Sequence, residues 1–270
     1  MQPRDIIAYL SDHYRGNWRK IYDHIVEQRP VPNEADHFAD HYPCKIVTIM
    51  DDDYPKILQH CPKPPLALYY RGNLSLLNDE SRCVAIIGSR AASDYGKRMA
   101  KSLGDGLAKK GCVVISGIAR GIDGTALEAA FPFGKAVAVL GNGVDRYYPS
   151  ENADLQKRIE KDGLVLSEYP LGVEPSAEHF PNRNRIIASL SRMVVVAEAK
   201  PRSGTMITVA FAAEMGKDVG AVPFPADCET GCNRLIQDGA ALITSADDVL
   251  FQMGRSTESP RIEEAEKKKK

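Results

Sequence analysis

Val84-Ala85-Ile86-Ile87-Gly88-Ser89-Arg90 sets an unbroken apolar run directly against a glycine, a hydroxyl and an arginine. No polar residue alternates through the run, so it reads as a strand buried on both faces. The same arrangement repeats outward along the chain. Val113-Val114-Ile115, Ala136-Val137-Ala138-Val139-Leu140, Leu164-Val165-Leu166, Val194-Val195-Val196 and Val219-Gly220-Ala221-Val222 are further runs, and Ala241-Leu242-Ile243 is a shorter candidate. Helix-patterned segments such as Gly96 to Lys110 and Thr205 to Met215 lie between them. Strands alternating with helices predict an α/β domain: a Rossmann-like, doubly wound, mostly parallel sheet covered on both faces.

Before this region the chain reads differently. Asp5 to Leu10 and Trp18 to Val26 carry apolar residues at helical spacing. A short strand at Ile46 to Met50, a proline-rich connector at Cys61-Pro62-Lys63-Pro64-Pro65 and a strand at Leu66 to Tyr70 follow. The expected organisation is a small helical N-terminal domain with connector over residues 1–75, a Rossmann-like domain over 76–252, and a polar, disordered tail over 253–270.

Composition narrows the function classes. No apolar run reaches the length of a membrane span and Met1 to Asp12 lacks signal-peptide order, so a soluble cytoplasmic protein is expected. The six cysteines form no CxxC pair and are expected to be reduced and structural, with no metal. Net charge is −1, so the overall field gives no sign of a nucleic-acid partner, and any such role depends on where the cations sit.

Ligands of doubly wound sheets bind beyond the carboxyl ends of the strands, so the residues after each run are the candidate site. They read Gly88-Ser89-Arg90, Ser116-Gly117-Ile118-Ala119-Arg120-Gly121, Gly141-Asn142-Gly143, Ser167-Glu168-Tyr169, and Lys200-Pro201-Arg202-Ser203-Gly204-Thr205. Glycine lets backbone N–H groups approach an anion, hydroxyls add donors, and arginine offers a bidentate fork. A further stretch, Phe180-Pro181-Asn182-Arg183-Asn184-Arg185, reads as a helix start carrying two arginines and an aromatic ring fit to stack on a base. One of Asn182 and Asn184 is expected to cap that helix, and Asp123 to cap the helix after Gly121. The composite favours a phosphate-rich ligand.

Known phosphate motifs are missing. GxGxxG does not follow the first run, GxxxxGK[ST] does not occur, and neither Ser116 nor Ser167 sits in a GxSxG elbow. No catalytic residue is assigned. Three readings stay open: a non-enzymatic binder of single strands, a nucleotide-binding sensor, and a phosphoribohydrolase-like enzyme. The last resembles the chain at Ser203-Gly204-Thr205, but its motif needs a glutamate where Thr208 stands.

Taken together, the motifs resemble the DNA-processing protein A family over about residues 45–250. The matching stretches are Asp53-Tyr54-Pro55, Leu68 to Gly72, Ile87 to Arg90, Ser116 to Asp123, Tyr148-Pro149, Ser167-Glu168, Phe180 to Ile187, Glu198-Ala199, Ser203 to Thr208, Leu235-Ile236 and Gly239-Ala240. The resemblance implies an extended Rossmann domain that binds single-stranded DNA without a cofactor, forms a homodimer, and loads the RecA recombinase in natural transformation. The DNA-binding set it implies is Gly88, Ser89, Arg90, Ser116, Gly117, Arg120, Gly121, Phe180, Asn182, Arg183, Asn184, Arg185, Ser203, Gly204 and Thr205. In that reading the four arginines 90, 120, 183 and 185 hold phosphates beside the N–H groups of Ser89, Gly117 and Gly204. Two positions depart from the family pattern: Leu127 in place of a histidine and Phe224 in place of a glycine. No winged-helix domain is expected after residue 250.

Overall fold

The computed structural model describes residues 2–228 and 230–254. Ten helices are described: α1 (Pro3–His13), α2 (Trp18–Val26), α3 (Phe38–His41), α4 (Asp94–Lys109), α5 (Ile122–Ala130), α6 (Ala153–Asp162), α7 (His179–Leu190), α8 (Gly204–Glu214), α9 (Gly231–Gln237) and α10 (Ala246–Gln252). They surround nine strands: β1 (Lys45–Thr48), β2 (Ala67–Gly72), β3 (Cys83–Gly88), β4 (Val113–Ser116), β5 (Ala136–Leu140), β6 (Leu164–Ser167), β7 (Met193–Glu198), β8 (Asp218–Ala221) and β9 (Ala241–Leu242). Every apolar run read from the sequence is a strand, and the described portions of β3 to β7 are buried along nearly their full length.

The sheet order is β1-β2-β6-β5-β4-β3-β7-β8-β9. From β6 through β9 neighbours run parallel, while β1 and β2 pair antiparallel with each other and β2 pairs antiparallel with β6. The chain winds from β3 outward to one side, then returns to lay β7 against the other side of β3. The loops leaving β3 and β7 therefore diverge, opening a crevice at this switch point.

One expectation needs correction here. The boundary near residues 75–80 would leave both early strands in a separate unit, yet β2 pairs with β6 from Tyr69↔Ser167 to Gly72↔Leu164. Tyr69 is fully buried, and one core cluster runs from Ile7 to Met253. Helices α1 to α3 precede the sheet, and Tyr42 of the segment after α3 ties them to it: its hydroxyl donates to Asp12 Oδ1 at 2.7 Å and accepts from Leu171 N–H, beyond β6, at 3.1 Å. The expected tail begins with Met253 in the core, and its remainder from residue 255 lies outside the described residues.

Of the six thiols, only Cys228 is exposed. Burial pushes Cys44 and Cys83 up to about 12 and Cys232 up to about 11. An unfolded thiol ionises near ~8.5, so between that value and the folded one the unfolded state has lost a proton that the native state keeps. Stability from these groups is complete below pH ~8.5 and is lost as pH rises toward 11 to 12. The denaturation midpoint is expected to hold steady to about pH 8 and fall above pH ~9. Ellman's reagent on the native protein should react first with Cys228 alone; several thiols reacting at one fast rate would contradict this packing.

Candidate nucleic-acid interface

A cavity of about 750 Å³ opens at the switch point. One wall is the loop after β3 (Gly88, Ser89, Arg90), and the other is the loop after β7 and the start of α8 (Lys200, Ser203, Gly204, Thr205). The start of α7 supplies Phe180, Arg183 and Asn184, and Asp123 lies at the base. Three segments far apart in the chain, each singled out by its residue types, thus meet in one crevice. The volume lies within the ordinary range for ligand sites, about 300–1,000 Å³.

The walls are held by backbone. Gly121 has φ +75° and lies against Ser89 and Arg90, where a Cβ would approach the Arg90 carbonyl carbon to 3.0 Å. Ile122 N–H donates to Ser89 O at 3.2 Å, which pins the β3 loop to the β4 loop. Gly121 therefore serves as a close-approach residue rather than as a ligand. Ser116 is fully buried and its hydroxyl donates to Ile86 O at 2.6 Å, so it braces β4 against β3 behind the cavity.

Several backbone donors assigned from the sequence are already used. Ser89 N–H donates to Glu198 O at 2.8 Å, and Gly117 N–H donates to Asp123 Oδ2 at 3.2 Å. Asp123 therefore reaches back to the β4 loop instead of capping α5, whose cap position is Gly121. The start of α8 differs. Its cap residue, Ser203, makes no side-chain cap, because its hydroxyl donates to Lys200 O at 3.0 Å. Gly204 has open space around it. An uncapped helix start with a positive dipole end faces the cavity from this side.

The two arginines of α7 behave unlike their sequence reading. The helix begins at His179, so Asn182, Arg183, Asn184 and Arg185 fall inside it, and neither asparagine caps it. Asn182 is exposed, and Asn184 accepts from Arg183 Nε at 3.2 Å. Arg185 is 5% exposed, and its Nη2 donates to both carboxylate oxygens of Glu168 at 2.7 and 2.8 Å. It is absent from the cavity lining. A phosphate could reach it only by displacing a buried carboxylate, which corrects its assignment as a phosphate holder.

Arg183 is 4% exposed and forms part of the floor. Its Nη1 donates to Gly117 O at 2.9 Å and to Val139 O, joining the ends of β4 and β5. Burial pulls its guanidinium down to about 10, with Asp123 opposing and Arg90 reinforcing that fall. Burial likewise pushes the Asp123 carboxyl up, against the nearby Arg183 charge. Arg183 is therefore a buried cation that sets the field under the cavity, with Nη1 donating to two backbone carbonyls and Nε to Asn184.

Exposed charge completes the picture. Arg90 and Lys200 are exposed on the two walls, and among the described residues neither has an ion pair. Among the described residues Asp123 is the only carboxylate lining the cavity. Three cations against one carboxyl leave a positive crevice in a chain of net charge −1. Arg120 lies apart from this cavity, exposed and paired with Glu151. It borders a smaller cavity next door, together with Gly117 and Asn142.

Phe180 is half-buried. The Arg90 guanidinium lies 5.2 Å from its ring centroid, and Tyr148 stacks on it at 5.8 Å and 25°. Neither Tyr148 nor Lys200 was selected from the sequence. Tyr148 carried no signal beyond a family motif, and Lys200 sat in a loop chosen for its Ser and Gly. The two departures from the family pattern are both packed: Leu127 is fully buried, and Phe224 meets Tyr95 edge-on at 4.9 Å.

Fold and crevice together define a doubly wound α/β protein with a positively charged crevice at its switch point. The chain belongs to the DNA recombination-mediator protein A family, whose model matches residues 45–254. It is 39% identical over 246 residues to protein Smf of Synechocystis, spanning 88% of this chain and 62% of that protein. Against DNA processing protein DprA of Streptococcus pneumoniae it is 48% identical over 208 residues, 76% of this chain and 73% of that one. The chain thus covers under two thirds of the Synechocystis relative.

Among solved structures, DprA from S. pneumoniae superposes with a TM-score of 0.76 at 41% identity, covering 87% of this chain and 81% of that one. DprA from Helicobacter pylori, described for its single-stranded DNA binding mode, superposes with a TM-score of 0.72 at 31% identity, covering 80% and 98%. Among the described residues no helix is long and apolar enough to cross a membrane.

Proposed function

We propose that this protein binds single-stranded DNA in the switch-point crevice, protects incoming strands, and hands them to a RecA-type recombinase during transformation and recombination. The observation that carries the reading is the positive crevice itself: Arg90 on one wall and Lys200 beside the start of α8 on the other, neither with an ion pair among the described residues, over buried Arg183. The family membership and the strand-binding description of the H. pylori relative support it. In this reading Arg90, Lys200 and the Gly204–Thr205 backbone hold phosphates, and Asn184 faces the sugar or base. The protein binds without chemistry, needs no cofactor, and works as a homodimer. Asp123 is committed to Gly117 and buried, so it offers no free base, and Thr208 is buried where a glycosidic enzyme would need its glutamate.

The test is fluorescence anisotropy with a labelled oligonucleotide at several salt concentrations, with duplex DNA and mononucleotides as competitors. Salt-sensitive binding that neither competitor displaces supports a strand binder. Displacement by a mononucleotide would transfer the crevice to the sensor reading, which a volume of about 750 Å³ also accommodates. Faster recombinase ATP hydrolysis on strands pre-coated with single-strand-binding protein tests the loading step. Sedimentation of the free protein tests the dimer.

A further inference from the structure

We infer that Tyr148, rather than Phe180, presents the aromatic platform on which a base of the bound strand stacks. The inference rests on the single-strand reading above and deepens it. A ring that receives a base must offer an open face, and Phe180 is poorly placed to do so. It is half-buried, with Arg90 and Tyr148 already against its ring. It also packs on the β5 loop, where a Cβ added at Gly141 would lie 3.0 Å from the Phe180 ring. Close contact of this kind holds a ring in position and leaves it little room to admit a ligand.

Tyr148 has the complementary properties. It is 44% exposed, the largest exposure of any residue lining the crevice that carries a ring. It borders both the 750 Å³ crevice and the adjoining cavity of about 290 Å³, so it stands on the partition between them. Phe180 lies behind it at stacking distance, which fixes the tyrosine ring without burying it. Rigid backing matters, because a platform already ordered loses less freedom when the base arrives. The Arg90 guanidinium on the same aromatic pair places a phosphate contact beside the stacked base. The three side chains thus form one unit: Arg90 for the phosphate, Tyr148 for the base, and Phe180 as support.

The ligand chemistry is a nucleobase face of any identity, since stacking requires only a π-surface. The experiment measures binding of a labelled oligothymidylate, and of a 2-aminopurine oligonucleotide, to the full chain and to Tyr148→Ala, Tyr148→Leu and Tyr148→Phe. Tyr148→Ala and Tyr148→Leu are each expected to weaken binding at least about fivefold, as loss of one stacked base requires. The salt slope should stay unchanged, because no phosphate contact is removed. Tyr148→Phe should restore the affinity, and the 2-aminopurine emission change seen with the wild-type chain should vanish in the alanine and leucine variants. An exposed residue should leave the unfolding midpoint nearly unmoved, which keeps the comparison clean. Wild-type affinity in Tyr148→Ala, or failure of Tyr148→Phe to rescue, would overturn the inference while leaving strand binding intact. If the wild-type chain bound no strand at all, the single-strand reading would fall, and the platform with it.

Discussion

Replacing Arg185 with alanine is expected to cost about 3–5 kcal/mol of folding stability, the usual result of stranding one member of a buried ion pair. Arg185 and Glu168 have side chains only 6% and 8% exposed, and the guanidinium reaches both carboxylate oxygens. Burial alone pushes the Glu168 carboxyl up, and Arg185 is what opposes that push. Without the arginine, Glu168 must either take up a proton or sit charged in an apolar layer. Denaturant titration checks the size of the loss. The pair is imperfect, since Arg185 Nη1 finds no acceptor among the described residues. Replacing both partners, as Arg185→Met with Glu168→Leu, should therefore recover most of the stability. A soluble, fully stable Arg185→Ala protein with weakened DNA binding would reverse this assignment and return the residue to the ligand site.

Arg90→Ala is expected to do the opposite: leave stability within about 0.5 kcal/mol, as exposed substitutions do, and weaken strand binding about tenfold. The salt slope of log K should become shallower by about 0.7, the contribution of one phosphate neutralised on a single strand. The loss should be similar across sequences, since phosphate contacts carry no base information. Anisotropy titrations at several salt concentrations read all three quantities. An unchanged slope would take Arg90 out of phosphate contact and leave it only as a partner of the Phe180 ring. The contrast between these two variants is the sharpest consequence of the fold, because both residues read from the sequence as phosphate arginines.

The two arginines differ in what lies beyond their own segments. Arg90 follows β3 on a loop, and its guanidinium lies over the Phe180 ring. Arg185 falls off the face of α7 that lines the cavity through Phe180, Arg183, Asn184 and Ile187, and reaches Glu168 just after β6. Nothing in the local spelling Asn182-Arg183-Asn184-Arg185 separates a solvated guanidinium from a buried one. Arg183 shows the intermediate outcome, reaching the cavity floor while its donors go to carbonyls of β4 and β5.

Some of the protein was legible directly. Continuous apolar runs favour burial on both faces, so the seven strands from Cys83 to Leu242, the burial of β3 to β7 and the parallel sheet followed, while β8 and β9 at the sheet edge stay partly exposed. A parallel sheet puts the loops after all these runs at one end, so the candidate loops were legible, but the strand order alone decides that those after β3 and β7 diverge around a crevice. The tertiary structure alone decided that β1 and β2 extend the sheet, because antiparallel pairing of β2 with β6 joins residues about a hundred positions apart. It also decided which cations stay free, which are paired, and that Tyr148 rather than Phe180 is the open ring. The physical reason is common to all three. A hydrophobic run carries its own driving force for burial, whereas a charge or ring is buried only where a distant segment supplies the partner that offsets its desolvation.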